Sequence, residues 1–265
     1  MSTKADKKVL LEKGTDGVGW ITLDDDSTRN SLSNSLALDF IEILNQVEAD
    51  ESINVVTITG NGVAFCSGMN LHDLGRATEA GESTDTPGTE MRNRIRNCPK
   101  ITIAIVNGYC LGAGISLVSD CDLAIASDKA SFGLPEIRRG GPPGRAMGEI
   151  VTTIPLKYAA DMIISGRNWD AQKALTAGFI SRVVQHEQIY ESGYAWAKEI
   201  ASFDREALLY CKEGIRLLAD QPTWTQRIRM NRFLIQEMRS KGHTGMFMGG
   251  AQAFFAKESG TKATT

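Results

Sequence analysis

The sequence predicts an α/β fold, and three observations carry that prediction. Apolar runs rich in branched residues alternate with segments of helical spacing. Two of those runs end in glycine-bearing turns that lead into helix-like segments. The chain has 265 residues, 42% of them apolar, enough for one large domain or a core with a small appendage. A net charge of −3 with both signs interspersed provides no basic field for nucleic acid, so the expected ligand is a small molecule.

Taken in order, residues 9–12 and 18–23 alternate in the manner of strands around the Gly14 to Gly17 turn, an opening hairpin. Residues 33–50 place Leu36, Phe40, Ile43, Leu44 and Val47 at helical spacing, with Ser33 or Asn34 as the cap. Residues 54–59 are rich in branched side chains and form a strand that stops at Gly60-Asn61-Gly62. Residues 75–88 are polar and without period, which predicts a mobile loop beside the first turn, placed to act as a lid. Residues 101–106 make the next strand, 114–120 a short helix and 121–126 another strand. Residues 130–144 are so dense in breakers that an irregular loop is expected. Helical segments follow at 147–154, 158–165, 171–177 and 190–202, with a short strand at 180–184. The remainder reads as helices at 207–219, 223–240 and 250–258, a tail that packs on its own core or joins subunits.

The chemistry concentrates in the two turns, Phe65-Cys66-Ser67-Gly68-Met69-Asn70-Leu71 and Asn107-Gly108-Tyr109-Cys110-Leu111-Gly112-Ala113-Gly114. At a strand-to-helix turn, backbone N–H groups have no intrahelical acceptor and can stabilise an anionic oxygen. Together the turns read as an oxyanion hole. Taken alone, Gly112-Ala113-Gly114 is equally a device for packing a helix close to a strand.

Glu136 follows Pro135 and is flanked by Phe132, Leu134 and Ile137, a setting in which a carboxylate loses water and gains proton affinity. The competing reading is a solvated loop glutamate, or one paired with Arg138 or Arg139. The flexible thioether of Met69 fits either a ligand site or a gap in the core.

Other chemistries find little support. The five cysteines, Cys66, Cys98, Cys110, Cys121 and Cys211, are odd in number and lack C-x-x-C spacing, which points to reduced thiols and no metal site. His72, His186 and His243 are scattered, and His72 reads as a surface helix residue. Ser116 stands in Gly114-Ile115-Ser116-Leu117-Val118, which is not a nucleophile elbow, and there is no P-loop or dinucleotide fingerprint. No apolar stretch approaches bilayer length and residues 1–8 are polar and charged, so no membrane association and a cytoplasmic location are expected.

With these motifs in order, the chain resembles the crotonase superfamily, the enoyl-CoA hydratases and isomerases. The matching segments are Arg29-Asn30-Ser31-Leu32, Phe65 to Leu71, Gly108 to Ser116, Asp122 to Ala126, Phe132 to Ile137, Asp170-Ala171 to Gly178-Phe179-Ile180, and Gly250 to Lys257. The resemblance implies a spiral of ββα units over residues 1–203, and a helical region at 204–265 that joins subunits into trimers or hexamers. It implies no permanently bound cofactor, but coenzyme A as part of an acyl-CoA thioester substrate.

The resemblance also places the thioester carbonyl between the backbone N–H groups of Met69 and Ala113. Glu136 matches one of the two catalytic glutamates of the hydratases, and Ser116 stands where the other would be. Contacts to coenzyme A fall on Asn30, Ser31, Leu32, Ser67, Gly68 and Leu71, mostly through the backbone. Ser116, the Met after Gly68, Phe132-Gly133-Leu134 and Pro142-Pro143-Gly144 resemble the hydroxycinnamoyl-CoA hydratase-lyase branch. That branch holds its phenol with tyrosines, whereas Leu74 occupies one such place here and residues 223–240 contain none. The implied reaction is hydration of an enoyl thioester with Glu136 as acid and base. A Δ3,Δ2-enoyl-CoA isomerase using Glu136 alone is the second reading, and a non-catalytic thioester-binding scaffold the third.

Overall fold

The computed structural model describes residues 7–73, 86–219 and 223–240. The chain divides into two compact units, at Met1–Ser202 and Phe203–Thr265.

The first unit is built on two sheets. The larger has the order β1-β2-β3-β5-β7-β10, from β1 (Val9–Lys13), β2 (Val18–Leu23), β3 (Val55–Gly60), β5 (Ile101–Val106), β7 (Leu123–Ser127) and β10 (Arg182–Val184). Only β1 and β2 pair antiparallel, closing the hairpin expected from the sequence; every other neighbour is parallel. Every residue of β3 and β5 is buried, as parallel strands covered on both faces require.

Helix α1 (Asn34–Ala49) starts where Ser33, in extended conformation, accepts a hydrogen bond from Leu36 N. Such a cap contributes about 1 kcal/mol. Leu36, Ala37, Phe40, Ile43, Leu44 and Val47 form its buried stripe. Phe40 is among the largest wholly buried side chains, so its truncation to Ala would cost about 3–5 kcal/mol. Helix α7 (Ile189–Ala201) approaches β5 so closely that a Cβ on Gly193 would come 2.6 Å from Ile105 Cδ1.

The smaller sheet has the order β4-β6-β8-β9 and positions the chemistry. Its strands β4 (Ala64–Cys66), β6 (Tyr109–Leu111) and β8 (Ser131–Gly133) run parallel, while β9 (Trp169–Asp170) returns antiparallel to β8. Three parallel strands therefore end side by side, at Cys66, Leu111 and Gly133, each followed by a turn that carries a candidate functional group. Sites at the carboxyl ends of parallel strands are the rule in α/β sheets.

Three expectations need correction or fall outside the description. Residues 130–144 are not uniformly irregular: they contain β8 and a 3-10 helix at Pro135–Arg139, because pairing with β6 recruits Ser131 to Gly133 into the sheet despite the surrounding breakers. Residues 87 and 88 belong to helix α2 (Pro87–Arg96), which starts with Pro at its first turn and the Thr86 side chain accepting from Thr89 N. The rest of the expected lid, apart from Thr86, and the expected helix at 250–258 lie outside the described residues.

Helices α3 (Ala113–Asp120), α4 (Arg145–Thr153), α5 (Leu156–Ser165) and α6 (Ala171–Thr176) complete the first unit. The second contains α8 (Arg205–Ala219) and α9 (Trp224–Ser240), packed on each other.

Candidate active site

The first turn is fixed from both sides. Leu32 N donates to Gly68 O at 2.8 Å and Asn70 N to Leu32 O at 3.1 Å, a parallel bridge that holds Met69 opposite Leu32. Since N–H directions alternate along an extended chain, the Met69 N–H points away from Leu32. Ser67 donates through its hydroxyl to Thr28 O at 3.0 Å and through its N–H to Arg29 O at 3.1 Å.

The second turn follows β6. Gly112 N donates to Gly133 O at 2.9 Å, and the chain then enters α3 at Ala113. As the first helical residue, Ala113 presents its N–H outward with no acceptor inside the helix. Among the described residues neither Met69 N nor Ala113 N donates to a backbone carbonyl.

The turns touch. A Cβ on Gly68 would lie 3.7 Å from Ala113 N, and one on Gly112 would lie 3.5 Å from Gly68 Cα. Both glycines hold positive φ, +109° and +54°, which side chains rarely tolerate. Glycine is required here by backbone path and by the closeness of the other loop.

Glu136, in the 3-10 helix after β8, completes the arrangement. Its Oε1 lies 2.8 Å from the position a Cβ on Gly112 would take. Among the described residues its buried Oε2 has no hydrogen-bond partner, and neither Arg138 nor Arg139 forms an ion pair with it. Burial lifts its proton affinity above the ordinary glutamate value, against weaker opposition from its own backbone N–H and the Arg139 charge. Glu136 is thus half-buried with one oxygen covered, which runs against a fully solvated loop glutamate, and it makes no ion pair with Arg138 or Arg139. Ser116, one turn into α3, is wholly buried, and among the described residues its hydroxyl has no partner.

The residues expected to touch coenzyme A fall in two classes. The Asn30 side chain is fully occupied, accepting from Asp25 N at 2.8 Å and donating to Asn61 O and Ala64 O at 3.0 and 2.8 Å. It ties three loops together, and because its N–H also donates to Asp25 O at 2.9 Å, its carbonyl is what remains for a ligand among the described contacts. Leu32 is in the core, and Ser31 is buried with its hydroxyl accepting from Asn70 Nδ2 at 3.1 Å. Gly68 is buried and Ser67 half-buried, whereas Leu71 is exposed beside the turn. His72 is exposed, as expected.

Sequence reasoning missed a buried polar cluster. Arg145 bridges Asp120, at 3.3 Å, and Glu149, while donating to Asn93 Oδ1 at 2.7 Å. Arg92 from α2 is buried beside them. The i,i+4 spacing of Arg145 and Glu149 and an aspartate inside the apolar α3 were the available signals.

The arrangement brings two backbone turns, whose Met69 and Ala113 N–H groups have no backbone acceptor among the described residues, beside a partly desolvated carboxyl group. A family profile described as enoyl-CoA hydratase/isomerase matches residues 13–260. The chain belongs to the enoyl-CoA hydratase/isomerase family. This family member is 31% identical to a hydroxycinnamoyl-CoA hydratase-lyase of Pseudomonas fluorescens, over 83% of this chain and 80% of that enzyme. It is 34% identical to the 2,3-dehydroadipyl-CoA hydratase of Escherichia coli, over 74% of this chain and 77% of that enzyme. The structure of an enoyl-CoA hydratase from Bacillus anthracis superposes with a TM-score of 0.82 at 28% identity, covering 94% of this chain and 96% of that one. Human enoyl-CoA hydratase domain-containing protein 3 gives a TM-score of 0.81 at 26% identity, over 91% and 98%. The fold is therefore that of the crotonase superfamily. Among the described residues no helix is long and apolar enough to cross a membrane.

Proposed function

We propose that the protein adds water to, or removes it from, an enoyl-CoA thioester through an enolate, with Glu136 as both base and acid. The observation that supports this most is Glu136 itself: a buried carboxylate oxygen without a partner among the described residues, its twin oxygen set over the Gly112 turn. A structural carboxylate would have acquired a partner, because an unsatisfied buried charge is costly.

The thioester oxygen lies between Met69 N–H and Ala113 N–H. Negative charge grows on that oxygen as water attacks C3, and donors already in position stabilise it without reorganisation, worth on the order of 3 kcal/mol per donor. Glu136 takes the proton of the attacking water and returns a proton to C2 as the enolate collapses. The Ser116 hydroxyl steers the water by hydrogen bonding. Coenzyme A enters as part of the substrate, cradled by the backbone of Asn30, Ser31, Leu32, Ser67, Gly68 and Leu71. In this reading α8 and α9 join copies of the chain into a trimer or hexamer.

The presence of Ser116 where hydratases carry a second glutamate favours one other reaction. A Δ3,Δ2-enoyl-CoA isomerase needs only Glu136, to move a proton from C2 to C4. Purified protein given crotonyl-CoA and a 3-enoyl-CoA separates the two. Loss of enoyl absorbance supports hydration, and conjugated enoyl appearing from the 3-enoyl substrate supports isomerisation. Silence with tight binding would leave a scaffold and refute both.

A further inference from the structure

The opening hairpin borders a cleft of about 420 Å³, lined by Glu12, Lys13, Gly14, Trp20, Tyr190 and Tyr194, none of which belongs to the candidate site. That volume lies within the range of small-ligand pockets. The walls follow from the fold. Glu12 and Trp20 stand directly opposite each other in the β1-β2 register, so their side chains rise from one face of the hairpin. Helix α7 packs across β2, β3, β5 and β7, with Tyr190 and Tyr194 one turn apart on the same side of it. The edge strand β1 lies beyond that span, and the hollow forms between hairpin and helix. Tyr190 is 44% exposed, so the cleft can be entered from solvent.

Three aromatic rings meet there without stacking on one another. The Trp20 ring centroid lies 6.3 Å from that of Tyr190 and 5.9 Å from that of Tyr194, with the planes inclined at 62° and 49°. Both phenolic hydroxyls are engaged by the protein: Tyr190 donates to Gly60 O at 3.3 Å, and Tyr194 donates to the Asp16 carboxylate at 3.0 Å. What remains for the cleft is ring surface. The charges around it are unequally matched. Lys13 is held by Asp50 at 2.7 Å, and Asp16 faces Lys198 at 3.5 Å besides accepting from Tyr194. Glu12 is exposed, and among the described residues it has no ion-pair or hydrogen-bond partner.

We propose that this cleft binds a small organic cation of the alkylated ammonium class, with Trp20, Tyr190 and Tyr194 around its alkyl groups and Glu12 as the counter-charge. The negative faces of aromatic rings attract a cation, and tryptophan does so most strongly. An alkylated ammonium asks for no hydrogen bonds, whereas a bare ammonium would give up its water for a cleft whose hydroxyls are already engaged. A neutral ligand would gain nothing from Glu12. An anion would be repelled by it, with Lys13 already neutralised by Asp50.

The test is calorimetry on the full chain with choline, its neutral carbon isostere 3,3-dimethylbutan-1-ol, and ethanolamine, alongside Glu12→Gln, Tyr190→Leu and Trp20→Leu. Choline should bind with a Kd at least about tenfold below that of either comparator, as charge held over aromatic faces adds to apolar contact. In each variant the preference for choline over the isostere should fall several-fold. That ratio is taken within one preparation, so partial misfolding cancels, and Glu12→Gln changes only an exposed strand position. The measurement needs no turnover, so its outcome is independent of the proposed function. No saturable choline binding, equal affinity for the isostere, a preference for ethanolamine, or a ratio untouched by all three substitutions overturns the inference. Should choline fail to bind while Trp20→Leu lowers the mass of the assembly in solution, the cleft is a seat for another copy of the chain and the inference falls.

Discussion

Glu136 and Gly112 are so disposed that the carboxylate oxygen Oε1 occupies space a methyl group on the glycine would need, 2.8 Å from the ideal Cβ position. The acid and the turn are separated by β8 in sequence and joined by it in space, because β8 pairs with β6 at Leu111 and Gly133. The relationship makes the two residues mutually testable.

Glu136→Gln keeps the shape and removes the proton exchange. Turnover should fall by roughly two to four powers of ten with thioester binding nearly intact, read as kcat against Kd. Retained turnover would remove Glu136 from the mechanism.

Gly112→Ala should harm both activity and stability. A methyl at φ +54° meets Glu136 Oε1, so either the carboxylate or the turn is displaced. The backbone strain alone is of order 1–3 kcal/mol. Denaturant unfolding should show that loss, and turnover of the folded fraction should drop at least about tenfold, as for displacement of a single donor. A fully active alanine variant would mean that the two groups do not act on one substrate.

The rate should depend on pH through Glu136. Burial raises its proton affinity above the ordinary 4.5, and it must be ionised to accept the proton of water, so kcat/KM rises with pH across that raised value and then levels. The acid limb should vanish from whatever activity Glu136→Gln retains. A limb unchanged in that variant would assign it to another group.

Stability should depend on pH through Asp120. Burial first, then the Glu149 charge, push its pKa from 3.8 up to about 7 in spite of Arg145. The folded protein thus keeps a proton that the unfolded chain releases near its ordinary value. This contribution is whole below about pH 4 and is lost as pH climbs to about 7. Unfolding free energy measured between those limits should decline with rising pH, and Asp120→Asn should flatten the slope. An equal slope in the variant would contradict the assignment.

Much of the fold was legible because periodicity reports burial directly. The branched runs at β3 and β5 are strands buried on every residue, and the stripe from Leu36 to Val47 is the buried face of α1. The smaller sheet was not legible. Strands of two or three residues are too short to show alternation, and Ser131 to Gly133 acquires its conformation from β6. Helix α2 was hidden for a different reason: its two opening residues, Pro87 and Gly88, read as breakers, although Pro is well suited to a first turn.

At the candidate site, the glycine turns were legible because positive φ and the close approach of the other loop require glycine, and Glu136 stood out by following Pro135 among apolar neighbours. The commitment of the Asn30 side chain could not, since its partners Asp25, Asn61 and Ala64 are brought to it only by folding. The same holds for Arg92, an ordinary polar helix residue until folding buries it.

The hydrogen bond from Gly112 N to Gly133 O, together with the pairing of Cys66 and Cys110, welds the three loops of the candidate site through main-chain atoms alone. In the proposed mechanism, activation of the electrophile is thereby carried by chain path, which only exchanges that bend the turns, such as Gly112→Ala, disturb, whereas the route of the proton is written in replaceable groups at 116 and 136. A scaffold divided in this way can change which product it makes while still trapping the same kind of intermediate.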